Sequence, residues 1–189
     1  MNLFILAAGI LLGITAAPYL IFLGLYAWTQ PSGSPANKTT AEPTVSIVLP
    51  TYNESRIIET KLDNILALEY PMDKIELVVV DSSTDETRQL IREYFADIDT
   101  PELRLIEEDE RRGLAPALNE AYEMSQNEIV VKTDCDSKLP PGVLREATAN
   151  LADPEVDAVT GRNVEVLGGS KVESGYRGIQ SHIQRLESH

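Results

Sequence analysis

Hydrophobic residues follow three rhythms along this chain. From Leu3 to Trp28 they form one uncharged run, interrupted only by Thr15 and Pro18. At about 1.5 Å of rise per residue, such a run exceeds the roughly 20 residues that span hydrocarbon. It lacks the basic start and the short apolar core of a secretory signal. The pattern therefore predicts a retained transmembrane helix over residues 1–29, kinked at Pro18, with Tyr19, Tyr26 and Trp28 suited to the interfaces. Residues 30–43 are rich in Pro, Ser, Thr and Gly and read as a linker.

From Thr44 the rhythm alternates between short β-branched runs and helical spacing. Val45–Leu49, Ile75–Val80, Leu103–Ile106 and Glu128–Thr133 read as buried strands, the first ended by Pro50 and the second by Asp81. Between them, Ile57, Ile58, Leu62, Ile65 and Leu66 recur at helical spacing behind a cap at Asn53. Ser83-Thr84-Asp85-Glu86 has the form of a capping box opening a helix through about Phe95. Ala115–Met124 and a segment from Pro141 complete the helices. Val156–Thr160 and Val164–Leu167 read as later strands, and Tyr176, Ile179, Ile183 and Leu186 as one face of an amphipathic helix. Strand and helix alternating at this spacing predict an α/β fold over residues 44–189, a doubly wound, mostly parallel sheet.

Such a sheet takes its ligand beyond the carboxyl ends of its strands. The conspicuous polar residues fall there: Thr51-Tyr52-Asn53-Glu54, Asp81-Ser82-Ser83, and Asp134 with Asp136. In extended chain, residues i and i+2 share a face, so Asp134 and Asp136 can converge while Cys135 points away. Two such oxygens suit Mg²⁺ or Mn²⁺ that still draws phosphate oxygens into its shell. The plainer reading of that pair is a solvated acidic turn, and of Asn53 and Ser83, helix caps. The convergence of several strand ends favours a bound polar ligand. Neither GxGxxG nor GxxxxGK[ST] occurs, which removes dinucleotide and P-loop chemistry.

Charge narrows the partners. Asp and Glu number 30 and the net charge is −14, so no basic face exists for nucleic acid. A surface this anionic suits a high-salt cytoplasm, where its self-repulsion is screened. One cysteine excludes an internal disulfide, and no Cys/His spacing suggests zinc.

Four stretches in order resemble the nucleotide-sugar-binding half of a family 2 glycosyltransferase with the A-type, Rossmann-like fold. They are Val45-Ser46-Ile47-Val48-Leu49-Pro50-Thr51-Tyr52-Asn53-Glu54, Val78-Val79-Val80-Asp81-Ser82-Ser83-Thr84-Asp85-Glu86-Thr87, Arg112-Gly113-Leu114-Ala115-Pro116-Ala117-Leu118-Asn119, and Asp134-Cys135-Asp136. The resemblance covers Val45 to about Leu186. It implies that Thr51, Tyr52 and Glu54 line the nucleotide pocket, with Glu54 near the ribose, and that Asp81 accepts a hydrogen bond from the base. Arg112 and Gly113 would lie near the diphosphate, Asp134 would reach ribose or metal, and Asp136 would bind the cation. Two departures stand out: Val80 replaces the first of a common aspartate pair, and Leu114 replaces a common lysine.

The implied chemistry is inverting transfer of a sugar from a nucleoside-diphosphate donor to a hydroxyl of a glycan, lipid or polyprenyl-linked acceptor. A divalent ion steadies the departing diphosphate, and a carboxylate base deprotonates the acceptor. Family members carry that base, and often a Gln-x-x-Arg-Trp-type segment, beyond the point where this sequence stops. The expectation is a donor-binding portion, membrane-anchored by a single span with its domain in the cytosol where sugar nucleotides are found. The alternative is a non-catalytic nucleotide-sugar-binding module. A nucleotidyltransferase would want a Gly-rich basic loop after the first strand, and Pro50–Glu54 is not one.

Overall fold

The structure is a computed structural model that describes residues 3–29, 39–161 and 167. The chain divides into two compact units, a helical one at the N-terminus and an α/β domain. In the first, α1 (Leu3–Thr29) is one helix that continues through Pro18. The hydroxyl of Thr15 donates to the carbonyls of Leu11 and Leu12, each at 3.0 Å, so this hydroxyl is satisfied by its own helix. Phe4–Leu25 has a mean hydropathy of 2.2 and is, among the described residues, the one stretch long and apolar enough to cross a membrane.

The α/β domain contains β1 (Val45–Thr51), β2 (Ile75–Asp81), β3 (Glu102–Glu107) and β4 (Ile129–Lys132) in the spatial order β3-β2-β1-β4, every pair parallel. Helices α2 (Ile58–Leu66), α3 (Thr87–Tyr94), α4 (Leu114–Met124) and α5 (Val143–Leu151) complete it. Alternate residues of a strand face opposite sides, and the core divides accordingly. Ile47, Leu49, Leu77 and Val79 pack with Ile58, Leu62 and Ile65 of α2, Ile91 of α3 and Leu144 of α5. Val48, Val78 and Val80 pack on the other face with Ala117 and Ala121 of α4. Burial on both faces explains why β1 and β2 are runs of Val, Ile and Leu rather than alternating patterns. The predicted doubly wound sheet is thus present.

Several boundaries differ from expectation for physical reasons. β1 runs through Pro50 to Thr51, because Pro50 pairs in register only with Val80 while β4 accompanies β1 no farther than Val48. A proline is tolerated where one side of a strand carries no ladder. α2 begins at Ile58 and α3 at Thr87, neither with a side-chain cap, so neither Asn53 nor the Ser83–Glu86 box caps a helix. Val156–Thr160 forms no strand: no ladder pairs it among the described residues, and Val159 is exposed. The strand expected at 164–167 and the helix at 170–189 lie outside the described residues, Leu167 excepted.

Candidate functional site

The chain winds outward from β1 to β2 to β3, then returns to the far side of β1 as β4. The crevice at such a reversal is where open α/β sheets bind ligands. Here it opens just past the last β1–β4 bond, in which the Thr133 N–H donates to the Val48 carbonyl at 3.0 Å. β1 continues alone beside β2, and the Thr51 hydroxyl donates to Asp81 Oδ2 at 2.7 Å.

The loops after β1 and β2 are bonded to each other. Asn53 has φ of +58°, a left-handed turn that Asn tolerates better than most residues. Its N–H donates to Ser83 Oγ at 2.8 Å, and its Oδ1 accepts from the Thr84 N–H at 2.9 Å. The Glu54 N–H donates to Thr87 Oγ1 at 2.9 Å. Asn53 and Ser83 therefore act across the crevice wall instead of capping helices. Asp85 is held at about 2: burial alone would raise it, but hydrogen bonds from Thr87 and Ser55 outweigh that.

Asp81 lies at the centre of this wall and is 0% exposed. Its Oδ1 accepts from the Ser83 N–H and from Arg88 Nε, both at 3.1 Å. Its Oδ2 accepts from the Thr51 and Ser83 hydroxyls, both at 2.7 Å. About four acceptor positions are available on a carboxylate, and all four are filled within the chain. Arg88 also donates to the carbonyls of Asp81 and Glu108, each at 3.2 Å, and so ties the ends of β2 and β3 together.

Two adjacent arginines follow β3 and have different fates. Arg112 donates through Nε to Glu108 Oε1 at 2.8 Å and also pairs with Glu120, so its charge is spent on its own helix and loop. Arg111 instead places its guanidinium carbon 4.0 Å from the centroid of the Tyr52 ring, and it makes no ion pair among the described residues. Gly113 has φ of +100° with nothing within 4 Å of a Cβ placed there, so the backbone angle rather than space calls for glycine. The resemblance falls on Arg112, and the sequence alone gives no role to Arg111. The visible signal was the doubled arginine itself, beside the Glu108 that could hold only one of them.

The turn after β4 carries the acidic pair. Asp134 is about half exposed and bonds Lys132 Nζ at 2.5 Å. The Asp136 backbone carbonyl accepts from the Leu167 N–H at 2.7 Å. Burial, then the charges of Asp136 and Asp85, raise the Glu54 carboxyl above the usual range. Glu54 and Asp136 thus share one electrostatic neighbourhood although they come from different strands. Cys135 points into the core and is 3% exposed. Its thiol is pushed up to about 12, first by burial and then by the Glu54 charge, which makes it unreactive.

Beneath this turn lies Lys61, a second residue the sequence reading passed over. It is 0% exposed, and its Nζ donates to Thr133 Oγ1 at 2.8 Å and to the Ser137 carbonyl at 2.5 Å. A lysine on the apolar stripe of α2, four residues from Ile57 and from Ile65, was the signal for it. Burial lowers it from 10.5 to about 8, against the opposing pull of Cys135, Asp134 and Asp136. The unfolded chain therefore binds one more proton than the folded chain between about pH 8 and 10.5, and this group's contribution to stability rises with pH in that window. Urea midpoints at pH 7.5, 9 and 10 should show wild type gaining on Lys61→Met, and a constant difference would reject this.

Among the described residues no group of three or more His, Cys, Asp or Glu side chains could hold a metal alone. Asp134 and Asp136 supply two carboxylates, and a hard cation held by them would draw most of its shell from phosphate and water oxygens.

Comparison with known proteins shows the family. The family model described as "Glycosyl transferase family 2" matches residues 46–186. Glycosyltransferase AglE of Haloferax volcanii is 32% identical over 139 residues, which cover 71% of this chain and 45% of that protein. Poly-beta-1,6-N-acetyl-D-glucosamine synthase of Staphylococcus epidermidis is 30% identical over 76% of this chain and 35% of its own length. Among solved structures, the mannosyltransferase PcManGT of Pyrobaculum calidifontis, in complex with GDP-Man and Mn²⁺, superposes with a TM-score of 0.70 and 43% identity. It covers 77% of this chain and 44% of that one. TarS of S. aureus in complex with UDP-GlcNAc superposes at 0.51 with 28% identity, over 56% of this chain and 30% of that one. This chain therefore spans less than half the length of these relatives. With its parallel sheet, its crevice at the strand reversal and this match over most of its length, the chain belongs to glycosyl transferase family 2.

Proposed function

We propose that this domain binds a nucleoside-diphosphate sugar together with a divalent cation, and that it serves inverting transfer of the sugar to an acceptor hydroxyl. The observation that supports the reading is that β1, whose loop carries Glu54, and β4, whose turn carries Asp134 and Asp136, are parallel neighbours at the strand reversal, so both acidic segments leave the sheet at the same edge. Like charges gathered this way are unfavourable without a cationic partner. The ligands of PcManGT and TarS, GDP-Man with Mn²⁺ and UDP-GlcNAc, support the class of donor.

In this reading Thr51, Tyr52 and Glu54 line the nucleotide pocket, with Glu54 beside the ribose. Asp81 takes the base N–H in exchange for one of its two hydroxyl donors, which can rotate away without backbone movement. Asp134 and Asp136 hold the cation, Asp134 releasing Lys132 to do so. Gly113 lets the chain pass close to the diphosphate. The cation, when bound, neutralises charge that grows on the departing diphosphate. Arg111 supplies the side-chain charge on that diphosphate, because Arg112 is already held by two carboxylates. Arg111→Ala should weaken nucleoside-diphosphate binding about tenfold, the loss of one charge-assisted contact of roughly 1.5 kcal/mol. Arg112→Ala should leave that affinity within about twofold and lower stability instead. Equal loss in both variants, measured by calorimetry, would reject the assignment.

The reading itself is tested by calorimetry on the 189-residue chain in detergent, with GDP-mannose and UDP-GlcNAc, each with Mn²⁺ and with EDTA. Mn²⁺-dependent binding of at least one is expected, and binding of neither rejects the proposal. Transfer also needs an acceptor-side base, to which none of the residues above is assigned. A donor-hydrolysis assay then distinguishes a transferase from a nucleotide-sugar-binding module. We further infer that α1 anchors the domain at the cytosolic face of the cell membrane, where glycan, lipid or polyprenyl-linked acceptors meet cytosolic donors. A domain protected from protease in sealed cells and digested after lysis is expected. The acidic surface fits a salt-rich interior, to be checked by unfolding in rising KCl.

A further inference from the structure

Lys61 is a buried charge that the proposed chemistry leaves unexplained. It sits on the core-facing stripe of α2 beside Ile58, Leu62 and Ile65, with no exposed surface. Burying an ammonium costs free energy that a methionine of similar shape would not. Among the described residues the charge is not spent on an ion pair. Its hydrogen-bond partners are the Thr133 hydroxyl at 2.8 Å and the Ser137 carbonyl at 2.5 Å. Those two residues flank Asp134-Cys135-Asp136 on either side. One cation therefore closes the turn across its neck, while Cys135 pins the middle of the turn into the core.

We propose that Lys61 is a positioning residue for the acidic pair. By clipping Thr133 to Ser137 it sets the geometry in which Asp134 and Asp136 receive a divalent cation carrying a nucleoside diphosphate. This rests on the nucleotide-sugar reading above and adds to it a residue on α2 that touches no ligand.

Simple electrostatics gives the opposite expectation, which makes the test decisive. A positive charge behind a cation site opposes the cation, so removing that charge should tighten binding. If positioning dominates, removal should loosen it. Lys61→Met removes both the charge and the clip. Thr133→Val removes one arm of the clip and keeps the charge and the volume. Calorimetry on the full chain in detergent, with Mn²⁺ and either GDP or UDP, should show Lys61→Met about 10- to 100-fold weaker, as for other residues that orient metal ligands. Thr133→Val should be weakened in the same direction by a smaller factor. Thermal midpoints taken alongside separate loss of folded protein from loss of affinity.

A folded Lys61→Met that binds as tightly as wild type, or more tightly, overturns the inference. If Lys61→Met does not fold, Thr133→Val with unchanged affinity overturns it equally. Wild-type protein that binds neither nucleotide with Mn²⁺ overturns the proposed function and this inference together. Wild-type binding with indifferent variants overturns this inference alone.

Discussion

Asp136→Asn is expected to lower Mn²⁺-dependent affinity for a nucleoside-diphosphate sugar by about two orders of magnitude. The substitution keeps the shape of the side chain and removes one of two charges offered to the cation. A loss of roughly 3 kcal/mol in that contact corresponds to about a hundredfold in the dissociation constant. Asp136 is only half-buried, so the thermal midpoint should stay within a few degrees. In EDTA, wild type and variant should bind the nucleotide alike, weakly. A second effect distinguishes this residue from a remote structural one. The Asp136 charge contributes to raising the Glu54 carboxyl, so the variant should let Glu54 titrate closer to the ordinary carboxylate range. Carbon-detected NMR titration of the Glu54 carboxyl reads this directly. Unchanged affinity in Mn²⁺ would remove the cation from this turn altogether.

The largest loss of stability is expected at Asp81. Asp81→Ala withdraws the common acceptor of Thr51, Ser83 and Arg88 from a site with no exposure. The Ser83 N–H and the Thr51 hydroxyl are left without that partner, and the Arg88 guanidinium keeps its charge beside the empty place. Removing one member of a buried ion pair costs roughly 3–5 kcal/mol. Arg88 retains Glu107 and two carbonyls, which argues for the lower end, about 3 kcal/mol. Urea unfolding should show it as a shifted midpoint with an unchanged slope. Asp81→Asn, which keeps the size but offers one acceptor oxygen, should fall between. If Asp81→Ala is as stable as wild type and loses only nucleotide affinity, the carboxylate serves the base and not the frame.

The frame was legible because its determinants are local. Val45–Leu49 and Ile75–Val80 are apolar apart from Ser46 and Glu76, and the helical spacing of Ile58, Leu62 and Ile65 matches the face that α2 buries. The site was legible to the degree that its residues follow strand ends. Less legible were the partners, because they come from far along the chain. Asn53 and Ser83 have ideal cap chemistry, and nothing nearby in sequence says that each will bond the other's loop some 30 residues away. Arg111 and Arg112 are indistinguishable until Glu108 and Glu120 are brought beside one of them. Lys61 shows in the sequence only as a charge on an apolar stripe, because its partners Thr133 and Ser137 lie more than 70 positions downstream. The run at 156–160 has strand composition, and composition cannot supply the neighbouring ladder that a strand requires.

The bonds between Asn53 and Ser83 and Thr84, and between Glu54 and Thr87, have a consequence for anyone wishing to change the donor preference of the proposed pocket. The two segments they join behave as a single cassette, so grafting a new sequence after β1 alone would sever contacts that hold its partner in shape. Retuning requires both to be transplanted as a matched set, while the turn after β4 is fastened to α2 through Lys61.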